Sequence, residues 1–529
     1  MVKPMALNFS KPAVAADSRR RRLVVAGWAL LAVSALTGCQ NYNEQTYQFS
    51  QASRRGGLVE AVVQIDRQAE AKAGTKDEIL FRLEQGATLR TAAMAAPAFV
   101  PAIPVATSPG APATEPPAAA VHEHYFRRSI SAFDLAEDRV NYWEEQAKVK
   151  LGSEIGSALT TQANLPYRGR SYDKVMMNTY KALDYLALGQ FEQARVELNR
   201  SLQRQRDAVA ANEKRIVAAQ VDEETARRGA WVEAEGQSAA YDPQKAVNDP
   251  VTSAALRSSL QASIARMQPY GDYVNPFAVF LDGLYHSVLG LDGSDRERGR
   301  KSFERVAGLV PSNSFARIDL EAATKAAEGQ PIMGVTYVIF ETGTAPSRRE
   351  NRIDIPTFLF TRRLAYVGAA FPTLEYHDDY LRQLDVRAGG ETVSTAVVAS
   401  MDSVVANDFK NEWPSIVTRT IFTTATKAIA QAGVQKELES RGGMAGRLLG
   451  EIAGTVVNAS TNIADTRTWS SLPKEFQYAR LPTPPDRTLI LRAGTQENTV
   501  TVELGSVIVV YVRSASLSSP LFISQFVLQ

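Results

Sequence analysis

Cysteine is almost absent from this sequence, with one residue, Cys39, in 529. No disulfide can form within the chain, so the fold must hold without a covalent staple. Histidine is nearly as scarce, with four residues. The apolar run from Leu23 to about Leu36 is about 14 residues long, short of the roughly 20 that a membrane-spanning helix needs. Excess charge is missing too. The chain carries 59 basic and 57 acidic residues. Six of the bases (Lys3, Lys11 and Arg19 to Arg22) and one acid, Asp17, fall in residues 1–38; without that segment the balance becomes 53 to 56, net −3. Such a chain has no global electrostatic case for binding nucleic acid. Neither a dinucleotide-binding glycine loop nor a Walker loop is present, and GGMAG at 442–446 falls short of the full glycine pattern.

What is present begins at the N-terminus. Four arginines, a short apolar run and small residues form the layout of a secretory signal. The run ends in Leu36-Thr37-Gly38-Cys39, which resembles the lipobox of bacterial lipoproteins. That resemblance implies a diacylglyceryl group on the Cys39 sulfur, cleavage after Gly38 and acylation of the new amine. Gln40 rather than aspartate follows the cysteine, a pattern that among such lipoproteins favours the outer membrane. Residues 1–38 are therefore expected to be a lipoprotein signal peptide and 39–55 a polar, lipidated tether.

Residues 56–328 read as a helical domain. In the segment DEILFRLEQGATLRTAA, Ile79, Leu80, Leu83 and Ala87 recur at helical spacing. A proline- and alanine-rich stretch at about 95–121 cannot build a core and is expected to be a disordered insertion. Residues 172–205 predict one helix, a tight turn at Gly189-Gln190 and a second helix from Phe191. The pair resembles a tetratricopeptide repeat, with Ala182, Ala194 and Ser201 at small positions and Tyr185 and Leu198 at bulky ones. Residues 192–236 continue as an overlong polar helix, either simply solvated or an arm that pairs with a partner. A second unit begins at Asn275 and carries Gly283, Phe303 and Pro311; its loop, LDGSDRER, is longer than the repeat allows. The helices of 56–93 and 123–156 are candidates for a third, and an irregular bundle is the alternative to repeats.

From Gly329 the texture changes. GVTYVIFETG is a β-rich run, and strands are expected near 352–361, 364–370, 381–387, 486–493, 498–503 and 505–513. A long helix is expected over about 396–440, with Pro414 as a kink or break, and another over about 444–464. The fold class is thus α+β: an N-terminal α-helical region, tetratricopeptide-like, followed by a mixed α+β C-terminal domain over 329–529.

Few residues point to chemistry. His122-Glu123-His124 borders the insertion, but no cysteine remains to complete a metal site with it. His286 falls within a repeat helix as a core or groove residue. His377-Asp378-Asp379 reads as solvated loop rather than an acid–base pair. Ser471-Leu472-Pro473-Lys474 has the spacing of a serine–lysine catalytic pair, but Pro473 argues against the helix that would align them. Gly446, Gly450 and Gly454 suit a tight helix crossing. Trp469 is expected to be a buried plug with Arg467 paired to an acid such as Asp465, or else an exposed recognition residue. No catalytic residue, metal or cofactor is expected, and the chain is not expected to be an enzyme.

Both halves together resemble a family of uncharacterised bacterial envelope lipoproteins with tetratricopeptide-like repeats. The segments that carry the likeness are NTYKALDYLALGQFEQARVE, GVTYVIFETGTAP and ADTRTWSSLPKEFQYARLP. The resemblance implies an envelope lipoprotein with a helical repeat half and a mixed C-terminal half. With the lipid on Cys39, the expected location is the outer membrane of a Gram-negative bacterium, facing the periplasm. The expected role is a protein-interaction scaffold with a periplasmic or outer-membrane protein partner. The alternative is a peptidoglycan- or glycan-binding module in the C-terminal domain.

Overall fold

A computed structural model describes residues 42–95, 118–149, 162–228, 242–268, 270–271, 273–356, 366–428 and 463–529. Cys39, most of the proline-rich stretch and Gly446, Gly450 and Gly454 lie outside the described residues, as does nearly all of the helix expected at 444–464.

Helices fill the first part of the chain. They are α1 (Tyr42–Arg54), α2 (Leu58–Ala71), α3 (Glu78–Met94), α4 (Ala118–Val149), α5 (Ser171–Ala187) and α6 (Phe191–Arg228). Then come α7 (Pro243–Asn248), α8 (Pro250–Ile264), α9 (Pro276–Leu289), α10 (Gly293–Leu309) and α11 (Ser314–Ala327). Several starts are written locally. Asn275 accepts the amides of Phe277 and Ala278, with Pro276 at the first helical position. Asp249 likewise caps α8 through the Thr252 amide, ahead of Pro250.

Three helix hairpins share one packing pattern. In α3–α4 the Gly86 backbone lies against the Phe133 ring, so close that a Cβ there would fall 2.5–2.7 Å from ring carbons. In α5–α6 Ala182, Ala194 and Leu198 are all buried, the Thr179 and Ser201 hydroxyls meet at 3.0 Å, and the turn between the helices has Gly189 at φ +68°. In α9–α10 a Cβ on Gly283 would lie 3.2 Å from Phe303. Small residues let each pair of axes approach, and one bulky side chain fills the space beside them.

The remaining chain is mostly sheet. A five-stranded sheet has the order β11-β10-β1-β7-β6, built from β1 (Val335–Thr342), β6 (Ala396–Ser400), β7 (Glu475–Pro482), β10 (Val507–Ser514) and β11 (Phe522–Val527). β1 pairs parallel with β10 and antiparallel with β7. A second sheet, β5-β4-β8-β9, joins β4 (Asp385–Ala388), β5 (Glu391–Ser394), β8 (Thr488–Ala493) and β9 (Gln496–Thr501). β2 (Ser347–Pro356) and β3 (Tyr366–Glu375) form a separate ribbon. A helix over 401–428, here α12, follows β6 directly.

Strands β1 and β10 are buried along their whole length, and their alternation sorts the layers. Tyr337, Ile339, Val509 and Tyr511 belong to the core shared with the helices. Val338, Phe340, Ile508, Val510 and Val512 pack with Val386, Leu489 and Leu491 of the second sheet. The first helix of each hairpin lies on the large sheet. Arg90 of α3 sits over the Tyr511 ring, Tyr180 of α5 bonds Glu341, and Phe277 of α9 stacks on Phe476 at 3.9 Å. One continuous core therefore runs from Tyr42 to Leu528. The change at residue 328 is a change of secondary structure within that core.

Three expectations are corrected. Residues 42–54 are a packed helix rather than a tether, because Tyr42, Thr46, Phe49 and Ala52 recur at helical spacing and are buried. The stretch from 396 begins as a strand, since β6 completes the sheet edge against β7, and the described helix there covers 401–428. Of the kink or break expected at Pro414, the break does not occur, since the helix continues through it; burial of its neighbours Trp413, Ile416 and Val417 offsets the amide bond that proline removes.

Candidate functional site

An open cleft lies between α4 and α6, the second helices of the first two hairpins, and has a volume of about 540 Å³. One wall carries Asp134, Glu137, Asp138 and Asn141, the other Arg200, Gln203, Arg204 and Asp207. Both sets step by three and four residues, which puts each on one helix face. The two faces meet because the hairpins stack side by side.

Lys181 of α5 lies buried behind these carboxylates, with its side chain only 2% exposed. Its ammonium lies 2.7 Å from Asp134, 2.8 Å from Glu137 and 3.0 Å from Glu197. Asn178 donates to Glu137 at 3.0 Å and to Glu197 at 2.7 Å. Arg200 reaches both carboxylates, and Arg204 reaches Glu144. Burial raises the pKa of Glu137, but Lys181 and the bonds from Lys181 and Asn178 outweigh it and hold the carboxyl below its usual range. The inner charges are thus matched to one another. Asp138 and Asp207 remain on the exposed rim.

A second site is internal. The segment from 463 to 474 runs between the helices and the sheet. Trp469 is fully buried, donates to Ser471 Oγ at 2.8 Å, and sits edge-on to Phe133 and Tyr180. It is therefore a plug and not an exposed recognition residue. Arg467 binds Asp465 at 2.7 Å, Asp77 at 2.9 Å and the carbonyls of Leu165 and Gln162. Nearby, Glu412 lies 2.6 Å from both Arg170 and Arg348. Burial opposes its ionisation, but the two guanidiniums bring its pKa down to about 2. A small pocket beside this region, lined by Thr420, Thr423 and Thr424, has about 20 Å³, room for about one water.

The structure distributes the other sequence candidates. His122 and His124 lie on α4, a helix, where residues two apart point to different sides. His122 contacts the Ala93 carbonyl, and the His124 ring sits edge-on to Tyr125. His286 is fully buried in α9, 2.9 Å from the Asp282 carbonyl. Ser471 and Lys474 diverge: the Ser471 amide donates to Glu84, while Lys474 pairs with Asp402 and lies 3.7 Å from Asp378. Among the described residues no group of three or more His, Cys, Asp or Glu could hold a metal ion, and no helix is long and apolar enough to cross a membrane.

Sequence reasoning missed the buried charges. Glu84 accepts Tyr42 OH at 2.8 Å, Ser470 Oγ at 2.7 Å and the Ser471 amide at 3.1 Å. Glu341 takes the Tyr180 and Tyr511 hydroxyls and pairs with Arg513. The available signal was charge inside an apolar helix: α3 is buried on all sides yet contains Arg82, Glu84 and Arg90. Compared with family models, curated proteins and solved structures, the chain matches none of them.

Proposed function

We propose that this protein is a lipoprotein, anchored to the outer membrane through Cys39 and facing the periplasm, that acts as a non-enzymatic protein-interaction scaffold. Three hairpins with one small-and-bulky packing pattern support reading the helical half as tetratricopeptide-like repeats. The observation that carries the scaffold reading is the charged cleft between α4 and α6. The first-helix face is occupied by the protein's own sheet, so a partner docks on the second-helix side. With the inner charges paired, the rim acids Asp138 and Asp207 set the preference, and they favour a partner segment bearing lysine or arginine.

The test reverses the rim charge. Asp138→Lys/Asp207→Lys is expected to abolish co-purification of the envelope proteins that crosslink to the parent protein in intact cells, while leaving the thermal midpoint unchanged, since neither residue is buried. Retention of the same partners by that variant contradicts the reading.

A further inference from the structure

The distance between Cys39 and the folded body is fixed by counting. Residues 40 and 41 alone separate Cys39 from the first residue of α1. Tyr42 is no loose end: its ring packs on Phe81 at 5.7 Å and its hydroxyl bonds Glu84. Three Cα–Cα steps reach at most about 11 Å. A tether running over the whole of 39–55 would have reached about 60 Å. A folded chain of this size has a radius of gyration of about 23 Å, so the leash is about half that radius and the body cannot turn freely on it.

The elements at that end are identifiable. The α1 start lies beside the α2 end, where Gln68 donates to the Gln45 carbonyl. The next loop, 72–77, holds the α3 start through Gly74 and Glu78. Glu78 pairs with Arg139 of α4, and Arg139 lies over the rings of Tyr142 and Trp143. Tyr142 is 44% exposed, and Lys76 of loop 72–77, 3.3 Å from Asp77, keeps 40% of its side chain exposed. Amphipathic aromatics beside cationic groups suit the boundary between lipid and water, where one end of the ring is apolar and the other wet.

We infer that this end of the helical layer, from the α1 start through loop 72–77 to Tyr142 and Trp143, rests on the lipid surface. The inference relies on lipidation of Cys39. It commits the body to one orientation, with the α1 end away from Cys39 pointing off the membrane. That far end is marked by Leu517, 56% exposed and adjacent to Ser516, whose hydroxyl bonds the Arg54 carbonyl. Along α1 the two ends are about 18 Å apart.

Acylation consumes the thiol of Cys39, so an introduced cysteine is the only free one. Full-length lipidated chains carrying Ala73→Cys or Leu517→Cys are labelled with a fluorophore and reconstituted into vesicles containing headgroup-nitroxide lipid. Quenching at position 73 and its loss at 517 is the expected result. Equal quenching at both sites, or none, on a chain whose intact mass shows the acyl groups overturns the orientation and leaves the anchor standing. An intact mass with no acyl group at Cys39 overturns the anchor itself.

Discussion

Asp184 stands in the last turn of α5 with its carboxylate enclosed, receiving the Ser129 hydroxyl at 2.7 Å and lying 3.5 Å from Arg90. Burial, opposed by Arg90 and Ser129, raises its pKa to about 7. The unfolded value is about 3.9. Between the two, the native chain holds a proton that the unfolded chain has released, so this group's contribution is full below about pH 4 and is lost as pH rises through about 7. Asp173, Asp319 and Asp402 are raised by burial to about 6 and act in the same sense over a lower window. Glu412 has the opposite sign: its depressed pKa stabilises above its unfolded value and that gain is lost as pH falls towards 2. Asp184→Asn is therefore predicted to flatten the fall in stability between pH 6 and 7 by about 1 kcal/mol, read from urea midpoints. A variant as pH-sensitive as the parent over that unit contradicts the assignment.

At the scale of elements, each helix hairpin depends on close approach. Gly86→Ala gains intrinsic helix propensity of about 1 kcal/mol. The added carbon meets the Phe133 ring, which is itself locked against Tyr180 and Trp469. Overpacking of about 1–3 kcal/mol wins, so the variant is predicted to be less stable. Gly308→Ala in α10 meets nothing within 4 Å and is predicted to gain up to about 1 kcal/mol. Thermal melts of the two variants should move in opposite directions. The hairpin of α5 and α6 was legible because its apolar period, small residues and Gly189 are local. β1 was legible as an uninterrupted β-branched and aromatic run. α1 was hidden because its polar residues outnumber the four that it buries. β7 was hidden because its burial depends on neighbours distant in the chain. The two walls of the charged cleft could be read as helix faces, but their opposition arises only from stacking of α4 beside α6.

For the whole molecule, the sheet governs what the helices can do. Phe476, Tyr478, Tyr337 and Tyr511 are buried because α3, α9 and their neighbours cover them. The Trp469 segment adds a wedge between hairpins and strands, and Glu84 ties it to α1 and α3. The first-helix face of the hairpins is thereby sealed, and the outer cleft remains as a charged concavity. The same packing brings α1 into the core and so brings the body close to Cys39. Envelope anchoring and partner docking, as proposed, both draw on α4, where Asn141 of the cleft wall directly precedes Tyr142 of the lipid-facing end.

The most direct test of the scaffold account is photo-crosslinking in intact cells from Gln203, exposed on the cleft wall, with the probe at exposed Lys301 on α10 as the comparison. The account predicts a short, reproducible set of protein adducts from position 203 that is absent from position 301 and lost in Cys39→Ala cells. No adduct from 203, or the same adducts from both positions, would contradict it.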